Sequence, residues 1–322
     1  MTDTDTTVSG RQESTVEDVN DAQAVIARVV ENVEEVIVGH HHEIEHIITA
    51  LLGRGHILLE DVPGVGKTML ARAVARSFEG SFKRVQFTPD LLPSDVTGVN
   101  VFNQKTEAFD FRPGPVFANV VLGDEINRAP PKTQSALLEA MEEQQVTVDG
   151  ESHDLPHPFT VIATQNTVER DRTYELPMAE LDRFMKKLRL GYPDTDEETE
   201  MFDRMVGHHP IDDLDSVATL DDLRAARDAA AGVTVERSVR EYVTRLSQFT
   251  RRHAELGVSP RGGLAVLRAA QGRAVLEGRE YVIPDDVQTE AEVVFPHRIR
   301  TSTDETTPRA VVENALESVR VE

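Results

Sequence analysis

His56-Ile57-Leu58-Leu59-Glu60-Asp61-Val62-Pro63-Gly64-Val65-Gly66-Lys67-Thr68 reads as a strand, a tight Gly/Pro turn and the start of a helix that runs on through Met69-Leu70-Ala71-Arg72-Ala73-Val74-Ala75. A strand feeding a Gly-rich loop aims successive backbone N–H groups into one concavity, and the following helix adds the positive end of its dipole. That is a cradle for an oligophosphate, formed by Pro63, Gly64, Val65, Gly66, Lys67, Thr68 and Met69. Lys67 is placed to reach the β- and γ-phosphates, and the Thr68 hydroxyl to take one coordination site on Mg²⁺. The regular pattern G-x-x-x-x-G-K-[ST] has glycine where this chain has Asp61, so the reading needs support from elsewhere.

Alternation supplies it. Apolar runs at Arg84–Phe87, Asn119–Leu122, Phe159–Ala163 and Met185–Leu190 have the composition of buried parallel strands. Helical segments at 67–78 and 132–143 separate them, the latter opened by Pro130-Pro131. Alternating strands and helices predict an α/β fold with a parallel five-stranded sheet flanked by helices. Two stretches interrupt the alternation: 99–111 reads as a hairpin within a helical segment, and 146–155 as a hairpin turning at Asp149-Gly150. Upstream, apolar spacing predicts one helix over 16–38 and another carrying Ile44, Ile47, Ile48, Leu51 and Leu52, with the break at Gly39. Downstream of Tyr192-Pro193-Asp194 the chain looks helical throughout, with 220–231, 235–252, 260–276 and 285–294 as candidate helices. The expected division is a disordered tail over 1–15, a nucleotide-binding core over 16–194 and an all-α lid over 195–322.

The chain has 322 residues and a formal charge of −23, which argues against a surface for nucleic acid. Lysine occurs only at 67, 83, 105, 132, 186 and 187, while arginine and acids abound. Such a surface self-repels until salt screens it, so the expectation is a high-salt cytoplasm, as in a halophilic archaeon. There is no cysteine, which excludes disulfides and thiolate chemistry. No apolar run approaches the roughly 18 residues of a membrane span, and Met1-Thr2-Asp3-Thr4-Asp5 is polar and acidic; a soluble, cytoplasmic protein is expected.

Hydrolysis needs more than a cradle. Val120-Val121-Leu122-Gly123-Asp124-Glu125 ends an apolar strand in adjacent carboxylates, the first suited to the Mg²⁺ shell and the second to activating water. Asn166 follows the strand 159–164, where a polar residue stands beside the ligand crevice and can hold the attacking water without titrating. Arg183 and Arg261 announce no role by themselves, though each has the charge to stabilise a transferred phosphoryl group. The tract His40-His41-His42-Glu43-Ile44-Glu45-His46 invites a metal reading through the i, i+4 pair His42 and His46, but polar residues at a helix start explain it more simply. His208-His209 has no stronger case.

The chain resembles the MoxR-type AAA+ ATPases from about Val36 to Ile299. The resemblance is carried by Phe117-Ala118-Asn119, by Asp124-Glu125-Ile126-Asn127-Arg128-Ala129-Pro130-Pro131-Lys132-Thr133-Gln134 and by Leu138-Glu139-Ala140-Met141-Glu142-Glu143. Thr88-Pro89-Asp90-Leu91-Leu92-Pro93-Ser94-Asp95 and Tyr281-Val282-Ile283-Pro284-Asp285-Asp286-Val287 add to it. It implies Walker A at 61–68 with Asp61 a tolerated variant, Walker B at Asp124-Glu125, sensor 1 at Asn166, an arginine finger at Arg183 and sensor 2 at Arg261. It also implies an adenine-contacting segment at Val38-Gly39, with ATP and Mg²⁺ as cofactors. It makes 99–111 the helix-2 insert, where Phe102, Phe109 and Phe111 are available to a client. The implied assembly is a hexameric ring of identical subunits, and the implied role is chaperone-like remodelling or maturation of protein complexes, with von Willebrand factor A-domain proteins as partners. The chain departs from the family at Asn166-Thr167 and at 172–180, which affects loop geometry and leaves the phosphate chemistry intact. A nucleic-acid motor and a nucleotide switch without turnover are the alternatives; acidity opposes the first, and the joint presence of Asp124, Glu125, Asn166 and Arg183 the second.

Overall fold

The computed structural model describes residues 16–166, 174–206, 210–302 and 306–321. The expected tail at 1–15, the departures at Thr167, Arg172 and Thr173, and His208-His209 lie outside the described residues.

The first helix, α1 (Val19–Glu34), is started by Asp18, whose carboxylate accepts from the N–H groups of Asn20 and Asp21. It buries Ala22, Val25, Ile26, Val29 and Val33 along one face. It stops short of the expected 38, and the Arg204 guanidinium caps its end by donating to the carbonyls of Glu34 and Glu35 at 2.8 and 3.0 Å. Val36 and Ile37 remain buried from a turn rather than a helix, which is why their apolar spacing reads as helical. Gly39 and His40 both have positive φ and reverse the chain into α2 (His41–Leu52).

From there the alternation runs β1 (Ile57–Asp61), α3 (Lys67–Ser77), β2 (Phe82–Gln86) and α4 (Pro93–Thr97). A hairpin of β3 (Gly98–Asn103) and β4 (Ala108–Pro113) leads to β5 (Val120–Asp124) and α5 (Pro131–Glu143). A second hairpin, β6 (Gln145–Val148) with β7 (Glu151–Asp154), is followed by β8 (Thr160–Asn166), α6 (Met178–Leu181) and β9 (Lys186–Leu188). Five strands form one parallel sheet in the order β2-β5-β8-β1-β9. Successive side chains of a strand leave opposite faces. Accordingly Ile57, Leu59, Val120, Leu122 and Ile162 join the core shared with α1, α2 and α3, while Leu58, Val121, Val161 and Ala163 join the core under α5. The expected α/β sheet with helices on both faces is thus present. In the second hairpin, Asp149 and Gly150 have φ of 51° and 89°, the double positive φ of a tight hairpin turn. The two hairpins touch: Phe111 stacks on His153 at 3.8 Å.

Helices make up the rest: α7 (Thr195–Met205), α8 (Pro210–Asp213), α9 (Leu220–Gly232), α10 (Arg237–His253), α11 (Pro260–Leu276), α12 (Pro284–Val294) and α13 (Pro308–Ser318). The last goes beyond the four candidates read from the sequence; Thr307 caps it and Val311, Val312 and Ala315 bury it. The apolar core around α1 and α2 continues unbroken into α9, α10, α11 and α12. At Gly272 a Cβ would lie 2.8 Å from the Thr49 carbonyl oxygen, so only glycine lets α11 approach α2 this closely.

A buried charged joint crosses the same boundary. Lys186 of β9 lies 2.5 Å from Glu290 of α12, both fully buried, and the Arg273 Nε of α11 donates to Glu290 at 2.9 Å. His46 and Thr49 of α2 complete it. Burial alone would raise the Glu290 carboxyl, but Lys186, His46 and Arg273 reverse this and hold it well below the carboxylate range. Burial pushes Lys186 down to about 8.

Candidate functional site

All five strands deliver their C-terminal ends to one edge of the sheet. Asp61 pairs in register with Asn166, Leu59 with Thr164, and Gln86 with Asp124. The loop 62–66, the acid pair and Asn166 therefore meet at that edge, as the sequence order predicts.

Within the loop, Gly64 and Gly66 have φ of 88° and 83°, and nothing lies within 4 Å of a Cβ built on either. Their glycine character answers to backbone conformation, and the space beside them is open to a ligand. Gly66 caps α3, whose first turn carries Lys67 and Thr68 and has no acid, so its dipole is available to phosphate. The Lys67 ammonium donates to the Val62 carbonyl at 2.6 Å, bent back over the loop. Burial lowers its pKa, opposed by Asp61, Asp124 and Glu125.

Asp61 has a structural task. One oxygen accepts from the Val62 N–H at 2.8 Å; the other accepts from Leu190 and Gly191 at 2.7 and 2.8 Å. The carboxylate ties the loop to the end of β9 and lies outside the cradle. The same end receives Val38–Gly39: a Cβ on Gly39 would fall 2.5 Å from the Glu197 carboxylate, in the first turn of α7.

The Asp124 carboxylate accepts from Thr164 Oγ1 at 2.6 Å and, through its other oxygen, from Arg84 at 2.6 Å. Glu125 has a left-handed backbone, φ 56°, and its N–H donates to the same Thr164 oxygen at 2.8 Å. Its side chain accepts from Gln86 at 2.7 Å and from Arg128 at 2.8 Å. Thr164 thus aligns both acids, and Gln86 holds the second in place. Sequence reasoning passed over Thr164, Gln86, Arg84 and Arg128; a polar residue ending an apolar strand, as at 86 and 164, is the signal that marks the first two. The donor set suits a hard cation: the hydroxyl of Thr68 and the carboxylate of Asp124 are oxygen ligands of the kind Mg²⁺ takes.

Arg183 and Arg261 lie elsewhere. Arg183 Nε is 3.0 Å from one oxygen of Glu142, and Arg261 Nη1 is 3.1 Å from the other. They line a cavity of about 180 Å³ with Arg54, His56, Arg268 and Arg298. His56 precedes β1, so the cavity stands at the N-terminal edge of the sheet, about 16 Å from the loop along that strand. The His56 ring accepts from the Val161 N–H through Nδ1 and donates from Nε2 to the Met141 carbonyl, which fixes a neutral tautomer. Burial pushes its pKa down to about 4. In the histidine tract His41 faces the carboxylates of Glu34 and Glu45, and among the described residues no group of three or more His, Cys, Asp or Glu side chains is arranged to hold a metal.

A parallel αβα sheet with this loop, this acid pair and a helical region packed behind it defines a P-loop ATPase of the AAA class. Residues 56–186 match the ATPase family associated with various cellular activities (AAA), and residues 247–315 match the AAA lid domain. Over 281 residues the chain is 51% identical to the uncharacterised protein YeaC of Bacillus subtilis, covering 87% of this chain and 88% of that protein. It is 40% identical over 309 residues to chaperone MoxR1 of Mycobacterium tuberculosis, covering 91% and 81%. A solved structure of a candidate ATPase from Cytophaga hutchinsonii superposes with a TM-score of 0.86 at 35% identity, covering 94% of this chain and 96% of that one. The chain belongs to the MoxR family of AAA+ ATPases.

Proposed function

We propose that identical subunits close into a hexameric ring in which Arg183 and Arg261 of one subunit complete the nucleotide site of the next, and that turnover there drives chaperone-like remodelling or maturation of protein complexes. The observation that carries the ring is the placement of both arginines at the edge of the sheet opposite their own P-loop, sharing Glu142. A side chain cannot cross about 16 Å of strand, so their phosphate partner belongs to a neighbour. Such a contact is heterologous and closes only as a ring. At each site Pro63 to Met69 hold the phosphates, Val38–Gly39 face the adenine, and Thr68 and Asp124 hold Mg²⁺. Glu125 activates the water that Asn166 orients. The division into a core over 16–194 and a lid over 195–322 belongs to the same proposal, with the charged joint at Lys186 and Glu290 as its hinge region. The exposed pair Phe102 and Phe109, 5.3 Å apart, supports a client or a von Willebrand factor A-domain partner at the first hairpin. The acidic, lysine-poor composition supports a high-salt cytoplasm. Among the described residues, no helix is long and apolar enough to cross a membrane.

The test is ATPase rate against protein concentration in ~2 M KCl, where the surface charge is screened. The rate should rise cooperatively with concentration. Arg183→Ala should lower it about 10³-fold or more, as for a finger in trans, and Glu125→Gln should abolish turnover while leaving ATP bound. Mixing Arg183→Ala with Lys67→Ala subunits should restore part of the activity, since an intact site then forms at one of the mixed interfaces. A concentration-independent rate with no complementation refutes the ring.

A further inference from the structure

We propose that Glu142 is a positioning residue that holds Arg183 and Arg261 together as one two-pronged phosphate clamp; this rests on the reading that the pair serves a neighbour's nucleotide. Glu142 stands in the last turn of α5, where the carbonyl end of the helix dipole disfavours a carboxylate and no basic residue of that turn offsets it. Its two oxygens are divided, Oε2 to Arg183 Nε at 3.0 Å and Oε1 to Arg261 Nη1 at 3.1 Å. One prong comes from the loop before β9 and the other from the first turn of α11, so a single carboxylate sets the spacing between sheet and lid.

Like charges would otherwise separate the prongs. Arg54, Arg268 and Arg298 line the same cavity, and among the described residues the only other acid on its wall is Asp182. Asp182 is committed: it accepts from Arg298 Nε at 2.6 Å and from Ser259 Oγ at 3.2 Å. Among the described residues of the cavity wall, Glu142 is therefore the carboxylate left to counter the repulsion between Arg183 and Arg261. It does so economically, engaging Arg183 through Nε and Arg261 through a single Nη, so most N–H groups of both guanidinium forks stay free of that contact. Each arginine is partly exposed, 27% and 46%, as a group awaiting an outside partner must be. The cavity keeps a positive balance, which suits the γ-phosphate of an adjoining subunit.

The experiment is steady-state ATPase kinetics on the full-length assembled protein in ~2 M KCl, comparing Glu142→Ala and Glu142→Gln in wild-type and Arg261→Ala backgrounds. Loss of alignment at a clamp costs on the order of tenfold to a hundredfold in kcat, and KM for ATP should stay within about twofold because each subunit binds ATP through its own P-loop. Gln, which retains one acceptor, should recover part of the rate, and it carries the test where Ala fails to fold. In the Arg261→Ala background the Glu142 substitution should add little, since the clamp is already broken. A kcat equal to or above wild type in the Glu142 variants overturns the inference, and so does an equal loss in both backgrounds. Should Arg183→Ala keep full activity, the neighbour reading itself fails; should Arg183→Ala collapse while Glu142 variants match wild type, only the positioning role fails.

Discussion

Asp61 occupies the position where the phosphate-loop pattern calls for glycine, and Asp61→Gly, which restores that pattern, should make the protein worse. The carboxylate is 6% exposed and accepts three backbone N–H groups, from Val62, Leu190 and Gly191, at 2.7–2.8 Å. Removing it leaves the buried Leu190 N–H and the half-buried Gly191 N–H without a partner, at about 1–3 kcal/mol each. Glycine in the last position of a strand adds about 0.5–1 kcal/mol of chain entropy. A loss of about 2.5–7 kcal/mol follows, with water reaching Gly191 favouring the lower end, and Asp61→Asn, which keeps one acceptor, should lose less. Denaturant unfolding in ~2 M KCl measures the change directly, and a titration with labelled ATP should show no gain in affinity, because the proposed cradle runs from Pro63 to Met69 and does not include Asp61. A stability change within about 0.5 kcal/mol of wild type would refute the assignment of Asp61 as the tie between the loop and β9, since two orphaned N–H groups cannot cost so little.

Acid should destabilise the protein before its carboxylates titrate. His56 is neutral when folded, with a pKa near 4 against about 6.5 unfolded, so the unfolded chain takes up its proton first and stability falls as pH drops from about 6.5 to 4, by about 3 kcal/mol. Unfolding free energy against pH should show that slope, and His56→Gln should make it shallower without abolishing it, because burial also lowers the pKa of His46 and His297. Glu290, held well below the carboxylate range, contributes stability present above about pH 4.3 and lost as pH falls further. Lys186→Met leaves Glu290 short of its nearest cation in a fully buried site and should cost about 3–5 kcal/mol in denaturant unfolding, whereas adding Glu290→Leu should recover only part of it, because Arg273 Nε then loses its acceptor. A single variant as stable as wild type would show that the charged joint carries no stability.

Legibility followed distance along the chain. The P-loop is readable because its strand, turn and helix are contiguous, and Gly64 and Gly66 take the positive φ their composition announces. The acid pair is readable because a buried parallel strand is a short apolar run and its polar end marks the ligand edge; Asn166 follows by the same logic. The hairpin at Asp149-Gly150 was legible from two residues. The C-terminal limit of α1 was overrun because Val36 and Ile37 stay buried in the turn beyond it and continue its apolar spacing, while Arg204, which caps its last carbonyls, lies 170 positions away from Glu34. The task of Asp61 was hidden for the same reason, its partners at 190 and 191 being 129 and 130 positions distant.

By itself the sequence determined the fold class, which is written in local periodicity, and the family, which it showed by resemblance in contiguous motifs; the candidate phosphate loop and acid pair were legible because each is a contiguous motif whose geometry the backbone enforces. Only the tertiary structure decided which edge of the sheet each charged group occupies. Arg183 and Arg261, 78 positions apart, meet on Glu142, and Lys186 and Glu290 meet in the core–lid joint, because strand pairing and helix packing bring together segments whose spacing in the chain carries no record of it. An arginine looks the same in sequence at either edge of the sheet; the direction of β1, with the P-loop at one end and His56 at the other, puts Arg183 and Arg261 at the edge away from their own loop, and the proposed ring rests on that placement.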